Sequence, residues 1–215
     1  MDIQIEYIDQ NSNLSNRTES INNFGILKHL AIAGQGYLPS LKRYIRTFGM
    51  LCHYIEYLNS SSLNSSKFSL PPQIRRDPTE KAQFSNLAGK AIGDFLSKRL
   101  SGAKVTHNYE AAMTGAGFPI SGSRPDLYCI GDNFQFAVEA KGFSRSTISS
   151  REMLRHKSQA SSGRLRVNFS VASVAYNLYA QAKCNYHDPF DHNVELSVAI
   201  NRELNRRYYP LCQYK

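Results

Sequence analysis

Asp126, Glu139 and Lys141 are the residues of this chain whose types and spacing suit one chemistry. Asp126 follows Pro125 and opens a short apolar run, Leu127–Ile130. Glu139 and Lys141, separated by Ala140, close a second run, Phe134–Val138. Gly131-Asp132-Asn133 between the runs is turn chemistry, so the stretch reads as a β-hairpin. Side chains alternate along a strand, which puts Glu139 and Lys141 on one face. The hairpin folds the chain back and brings Asp126 beside Glu139. Two carboxylates and one ammonium then meet at one end of a sheet. Mg²⁺ takes oxygen ligands and keeps several waters, so one or two carboxylates plus a substrate phosphate make a site for it. A lysine two residues from a ligand carboxylate can hold or deprotonate a metal-bound water, or neutralise charge developing on a phosphodiester.

The elements that must position these groups are readable on either side. Asp77-Pro78-Thr79-Glu80 marks a helix start, with Asp77 or Thr79 as the cap. Phe84, Leu87, Ala88, Ala91, Ile92, Phe95, Leu96 and Leu100 continue that helix, and Ser101-Gly102 closes it. Lys104–Met113 reads as one strand ahead of the hairpin. Ser146–Ala160 reads as a helix and Val167–Tyr176 as a fourth strand. The order is α-β-β-β-α-β. Between the first strand and the hairpin, Thr114–Ser123 carries Gly115, Gly117 and Gly122. Such a loop lets backbone amides approach a phosphate, and it equally serves as a plain flexible connection. It lacks the spacing of a Walker loop.

Pro125-Asp126, followed thirteen positions later by Glu139-Ala140-Lys141, resembles the motif of the PD-(D/E)XK nuclease superfamily, which includes many restriction endonucleases and Holliday-junction resolvases. The resemblance covers roughly the second half of the chain. It implies a mixed α/β (α+β) fold, with a restriction-endonuclease-like core flanked by helices. It implies that Asp126 and Glu139 bind Mg²⁺, with Mn²⁺ able to substitute, and that Ala140's carbonyl is a candidate further ligand. Lys141 would position or activate the attacking water. In many members the first helix offers another carboxylate. Glu80 and Asp94 are candidates here, and Glu110 on the predicted first strand is a third; none falls in a matching motif, and all three stay open. Some relatives carry Gln-x-x-x-Tyr on the helix after the lysine. Gln159 is followed by Gly163 instead, which counts against that exonuclease branch.

The activity the resemblance implies is Mg²⁺-dependent endonucleolytic hydrolysis of double-stranded DNA, by an enzyme able to act as a homodimer. Two alternatives stand beside it. One is a catalytically silent nuclease-fold subunit that binds nucleic acid; the other is an interaction protein whose basic surface meets an acidic partner. The charge agrees with a polyanionic partner, at +9 with a pI near 9.4 over 215 residues. Charge alone leaves nucleic acid and membrane surface both open. The most basic stretch follows the motif: Lys141, Arg145, Arg151, Arg155, Lys157, Arg164 and Arg166, opposed only by Glu152. Arg151 and Arg155 fall one helical turn apart on one face. With Arg145 they are the candidate phosphate-binding residues, since phosphate contacts supply most of the affinity for nucleic acid.

The rest of the chain is less specific. Residues 1–20 read as a short edge strand and a loose loop, and residues 21–33 as a short helix. Leu41, Tyr44, Ile45, Phe48, Leu51, Cys52, Ile55 and Leu58 give an apolar stripe at helical spacing. It reads as a packing helix, or as a dimerisation or DNA-positioning element. Residues 59–72 are serine- and asparagine-rich and end in two prolines, which predicts a linker. The expected division is a helical N-terminal region with this linker over 1–72 and a nuclease-like core over 73–215. Asn193–Arg207 reads as a C-terminal helix, followed by Tyr208-Tyr209-Pro210. Cys52, Cys129, Cys184 and Cys212 form no Cys-x-x-Cys pair and read as reduced thiols. Cys184, His187 and His192 make only half a zinc site. No apolar run is long enough to span a bilayer. The acidic start MDIQIEYIDQ lacks a signal-peptide core, so an intracellular, cytoplasmic protein is expected.

Overall fold

The computed structural model describes residues 1–9, 11, 13–36, 41–58, 67–72 and 74–188. They form a seven-stranded mixed sheet with helices on both faces. The strands are β1 (Asp2–Ile8), β2 (Leu14–Ser20), β3 (Val105–Asn108), β4 (Leu127–Ile130), β5 (Gln135–Gly142), β6 (Phe169–Tyr176) and β7 (Lys183–His187). Their order across the sheet is β2-β1-β7-β6-β5-β4-β3. β5 runs parallel to β6 and β1 parallel to β7, while the other neighbours are antiparallel. The helices are α1 (Asn23–Ile32), α2 (Leu41–Tyr54), α3 (Pro78–Leu100), α4 (Tyr109–Gly115) and α5 (Ser150–Ala160).

The predicted helix, hairpin, helix and strand are all present, as α3, β4–β5, α5 and β6. α3 begins where its chemistry dictates. Asp77 caps it, accepting from the N–H groups of Thr79 at 2.8 Å and Glu80 at 3.3 Å, and Pro78 fills the first turn. Ser85, Gly89, Gly93 and Ser97 recur every four residues and leave a flat stripe along this helix. A Cβ on Gly89 would collide with the backbone of Lys141 and Gly142, and one on Gly142 with the carbonyl of Ser85. The small residues therefore let α3 lie directly on β5. Phe136, Val138, Val171, Ile92 and Leu96 close the core on this face. On the other face α4 and α5 cover the sheet, with Tyr109, Met113, Tyr128 and Ala137 under α4 and Met153, Ala172 and Val174 under α5.

Several expectations need correction. The strand predicted over Lys104–Met113 stops at Asn108, whose side chain accepts from Ala111 N–H and starts α4 instead. The second hairpin strand runs on to Gly142 and contains Glu139 and Lys141, as their alternation requires. The expected helical N-terminal region opens with two strands. β1 is an inner strand, not an edge, because β7 pairs with its other side; the stretch expected as a loop is β2, the true edge. β7 is a strand in the polar stretch after β6, where none was predicted. The predicted linker at 59–72 is not free at its end: Phe68 is buried, its N–H donates to Leu178 O at 2.8 Å, and its ring packs edge-on against Phe84. Residues 59–66, His192, the C-terminal helix, Tyr208-Tyr209-Pro210 and Cys212 lie outside the described residues. Among the described residues no helix is long and apolar enough to cross a membrane.

Candidate active site

Backbone hydrogen bonds bring the first carboxylate to the second. Asp126 directly precedes β4; its N–H donates to Val138 O at 3.0 Å, and its carbonyl accepts from Tyr109 N–H at 3.0 Å. This clamps Asp126 beside Glu139. The Asp126 Oδ2 accepts from the Ala140 N–H at 3.1 Å and from Lys141 Nζ at 2.9 Å. Lys141 Nζ also stands 3.1 Å from Glu139 Oε1. The three residues singled out in sequence thus converge on one ammonium.

Their exposure differs. Glu139 is fully buried, whereas the Asp126 and Lys141 side chains are 31% and 27% exposed. Neither Glu139 oxygen makes a hydrogen bond of good geometry, although Lys141 Nζ and His156 Nδ1 stand 3.1 and 3.6 Å from its Oε1. Burial pushes the Glu139 carboxyl above its ordinary value, and the nearby Asp126 charge adds to this against the pull of His156 and Lys141. For Lys141, burial works to release the proton, but Asp126 and Glu139 outweigh it and hold the ammonium above its usual range. At neutral pH Lys141 is therefore a donor and not a base.

His156 joins this cluster and Lys90 feels its charge; neither was predicted. His156, on the buried side of α5 with Met153 and Ala160, places Nδ1 3.6 Å from Glu139 Oε1. Its spacing from Met153 and Ala160 marks it as inward-facing, but only the packing of α5 over β5 shows what it meets. Lys90, on α3, is half-buried. Burial lowers its pKa, opposed by the carboxylates of Asp126, Asp94 and Glu110, and Lys141 lowers it further. Gly89, pressed against β5, is the neighbour that sets Lys90 at this edge of the sheet.

The three additional acids separate. Asp94 is fully buried away from the cluster, its Oδ2 2.5 Å from His29 Nδ1 and 2.9 Å from Lys98 Nζ, and its Oδ1 accepting from the Thr106 hydroxyl. These partners overcome burial and keep its carboxyl below the ordinary range. Both oxygens are used within the fold. Glu110, in the first turn of α4, is paired with Arg124, whose Nε donates at 2.8 Å. Glu80 lies in the first turn of α3, nearly three turns before Lys90.

Asp126, Glu110, Arg124, Asn108 and Gln159 line an open cleft of about 350 Å³ together with the glycine-loop residues Gly122 and Ser123. Gly122 sits at φ +75°, a conformation that favours glycine. The predicted cationic residues lie on the segment that leaves β5. Arg151 and Arg155 are exposed on α5, whereas Arg145 is paired with Glu152 and stacks 4.3 Å over Phe143. The structure brings Asp126, Glu139 and Lys141 together and leaves these arginines on the outer side of α5. Among the described residues no group of three or more His, Cys, Asp and Glu ligands is gathered. No protein-family model, curated protein or solved structure matches the chain.

Proposed function

We propose that the chain is a metal-dependent phosphodiester hydrolase of the PD-(D/E)XK kind that cuts DNA. The observation that carries this reading is the convergence of Asp126, Glu139 and Lys141 beside an open cleft. A buried carboxylate whose oxygens make no hydrogen bond is costly unless an ion compensates it. Glu139 meets that description, and Asp126 stands beside it half in solvent. Two carboxylates and no third match a Mg²⁺ ion that keeps several of its waters. Asp126 and Glu139 would hold the ion. Once bound, it lowers the pKa of a water and stabilises charge on the phosphoryl group.

The chain's own groups do the rest. The Ala140 N–H fixes one Asp126 oxygen, and His156 backs Glu139 from α5. Lys141 keeps its proton, so it orients a water or a phosphate oxygen by donation and stabilises the negative charge of the transition state. Lys90 adds a second positive charge at the edge of the same site. Arg151 and Arg155 supply sequence-independent attraction to the phosphate backbone.

One observation favours the second reading, a catalytically silent nucleic-acid-binding subunit. Lys141 already pairs with both carboxylates, so part of their charge is compensated without a metal ion. One experiment separates the two: supercoiled plasmid and linear duplex incubated with Mg²⁺, Mn²⁺ or EDTA, beside the Lys141→Ala variant. Metal-dependent cutting that the variant loses supports the hydrolase. Salt-sensitive binding without cutting supports the silent subunit, and neither binding nor cutting overturns both.

A further inference from the structure

α2 carries apolar side chains on two sides. Its inner side, with Leu51 and Tyr54, packs against the main core. On its outer side Leu41 is 76% exposed, Ile45 66%, Phe48 69% and Ile55, just past its end, 59%. Cys52 is exposed on the same side. The apolar face of this helix is wider than its contact with the core, which leaves apolar surface for a partner to cover. The outer residues recur at steps of four, three, four and three, the spacing of a seam that meshes with a second helix of the same kind.

We propose that the outer face of α2 is the contact between two copies of this chain, packed antiparallel about Phe48. Size and the helix dipole both favour a second copy. Each of these side chains offers on the order of 100 Å², so two copies hide roughly 1,000 Å², the lower end for a specific interface. The dimer is therefore weak and depends on concentration. An antiparallel pair sets the dipole-positive start of one helix against the dipole-negative end of the other, whereas a parallel pair stacks like ends. Gly49, beside Phe48, has open space where a Cβ would stand, which lets the two backbones approach at the centre. The inference is independent of the catalytic reading.

Sedimentation of the full chain from about 1 to 100 μM tests it, a range that brackets the dissociation constant of a small interface. The expected result is a mass that rises twofold with concentration, and Phe48→Glu or Ile45→Lys remaining monomeric with an unchanged circular dichroism spectrum. Two exposed positions are used so that misfolding of one variant leaves the other as the test. The antiparallel arrangement has its own readout in a Cys212→Ser background. Cys52 residues of the two copies lie about 12 Å apart in it, beyond disulfide reach, whereas an Ile45→Cys thiol meets the partner's Cys52. Oxidation should therefore link the Ile45→Cys chain and spare its parent. Linkage of the parent through Cys52 overturns the antiparallel packing. A monomer at every concentration overturns the dimer, and flotation of that monomer with anionic vesicles would assign the face to a membrane surface instead.

Discussion

Lys141 Nζ and Glu139 Oε1 lie 3.1 Å apart on the same face of β5, two residues from each other, with Glu139 buried and the Lys141 side chain part-exposed. The strand's alternation makes the pair, and Asp126 completes it across the hairpin. This geometry makes Lys141 the one group that touches both carboxylates, so its removal has two separable consequences.

Lys141→Ala should lower DNA cleavage by at least about 100-fold, the scale for losing a positioned donor that stabilises transition-state charge. Binding to DNA should change little, because phosphate contacts elsewhere supply the affinity. The same substitution leaves Glu139 buried without its nearest cation and should cost about 2 kcal/mol or more of stability. Single-turnover cleavage, fluorescence anisotropy and urea denaturation read the three effects. Full cleavage by the variant would sink the proposed role.

Glu139 predicts an opposition between stability and activity. Its carboxyl is raised above the ordinary 4.5 chiefly by burial, so the folded state holds that proton more tightly than the unfolded state does. Folding stability therefore falls as pH rises from the ordinary value through the raised one. Glu139→Gln removes the buried charge and should stabilise the protein at neutral pH by about 1 kcal/mol. Well below pH 4.5 the wild-type carboxyl is neutral in both states and the advantage should vanish. Metal-dependent cleavage should be lost at every pH. Denaturation curves of both proteins near pH 3 and pH 8 check the sign.

The hairpin and its three site residues were legible because they are nearly contiguous. A strand's alternation and a glycine turn fix where Glu139, Lys141 and Asp126 point before any tertiary contact forms. α3 was legible from its cap and apolar spacing. β2 and β7 were not. β2, LSNRTES, has no buried face and is held by ladder bonds to β1, while β7, KCNYH, is a short run of mostly polar residues that buries Cys184, Tyr186 and His187. His156 and Lys90 were missed for a different reason. Each sits on a helix whose own pattern says which side faces inward but not which strand residue it meets. For Lys90 that register is set by Gly89 and Gly142, and for His156 by the packing of α5 over β5 and β6, which only the packed fold reveals.

Arg151 and Arg155 predict a change in affinity without a change in chemistry. Both are exposed on α5, one turn apart. Replacing both by Ala should weaken binding to all DNA sequences alike and reduce the slope of log affinity against log salt by about 2, one for each phosphate that an arginine no longer neutralises. The cleavage rate at saturating DNA should be unchanged. An unchanged salt slope would remove these residues from the interface.

Asp94 offers the clearest separation of a structural acid from the site acids. It is buried with His29, Lys98 and Thr106 around it, and its carboxyl is held below the ordinary 3.8 because these partners outweigh burial. A depressed carboxyl contributes stability that is present above the unfolded value and is lost as pH falls through the folded one. Asp94→Asn should therefore cost about 2–4 kcal/mol at neutral pH, since it strands the buried His29 and the part-buried Lys98. The two proteins should converge in stability only in strong acid, below the ordinary aspartate value. Because both Asp94 oxygens already serve the fold, the variant should keep metal-dependent cleavage at temperatures where it remains folded. Loss of cleavage from a folded Asp94→Asn protein, measured beside its denaturation curve, would instead place Asp94 among the residues the metal needs.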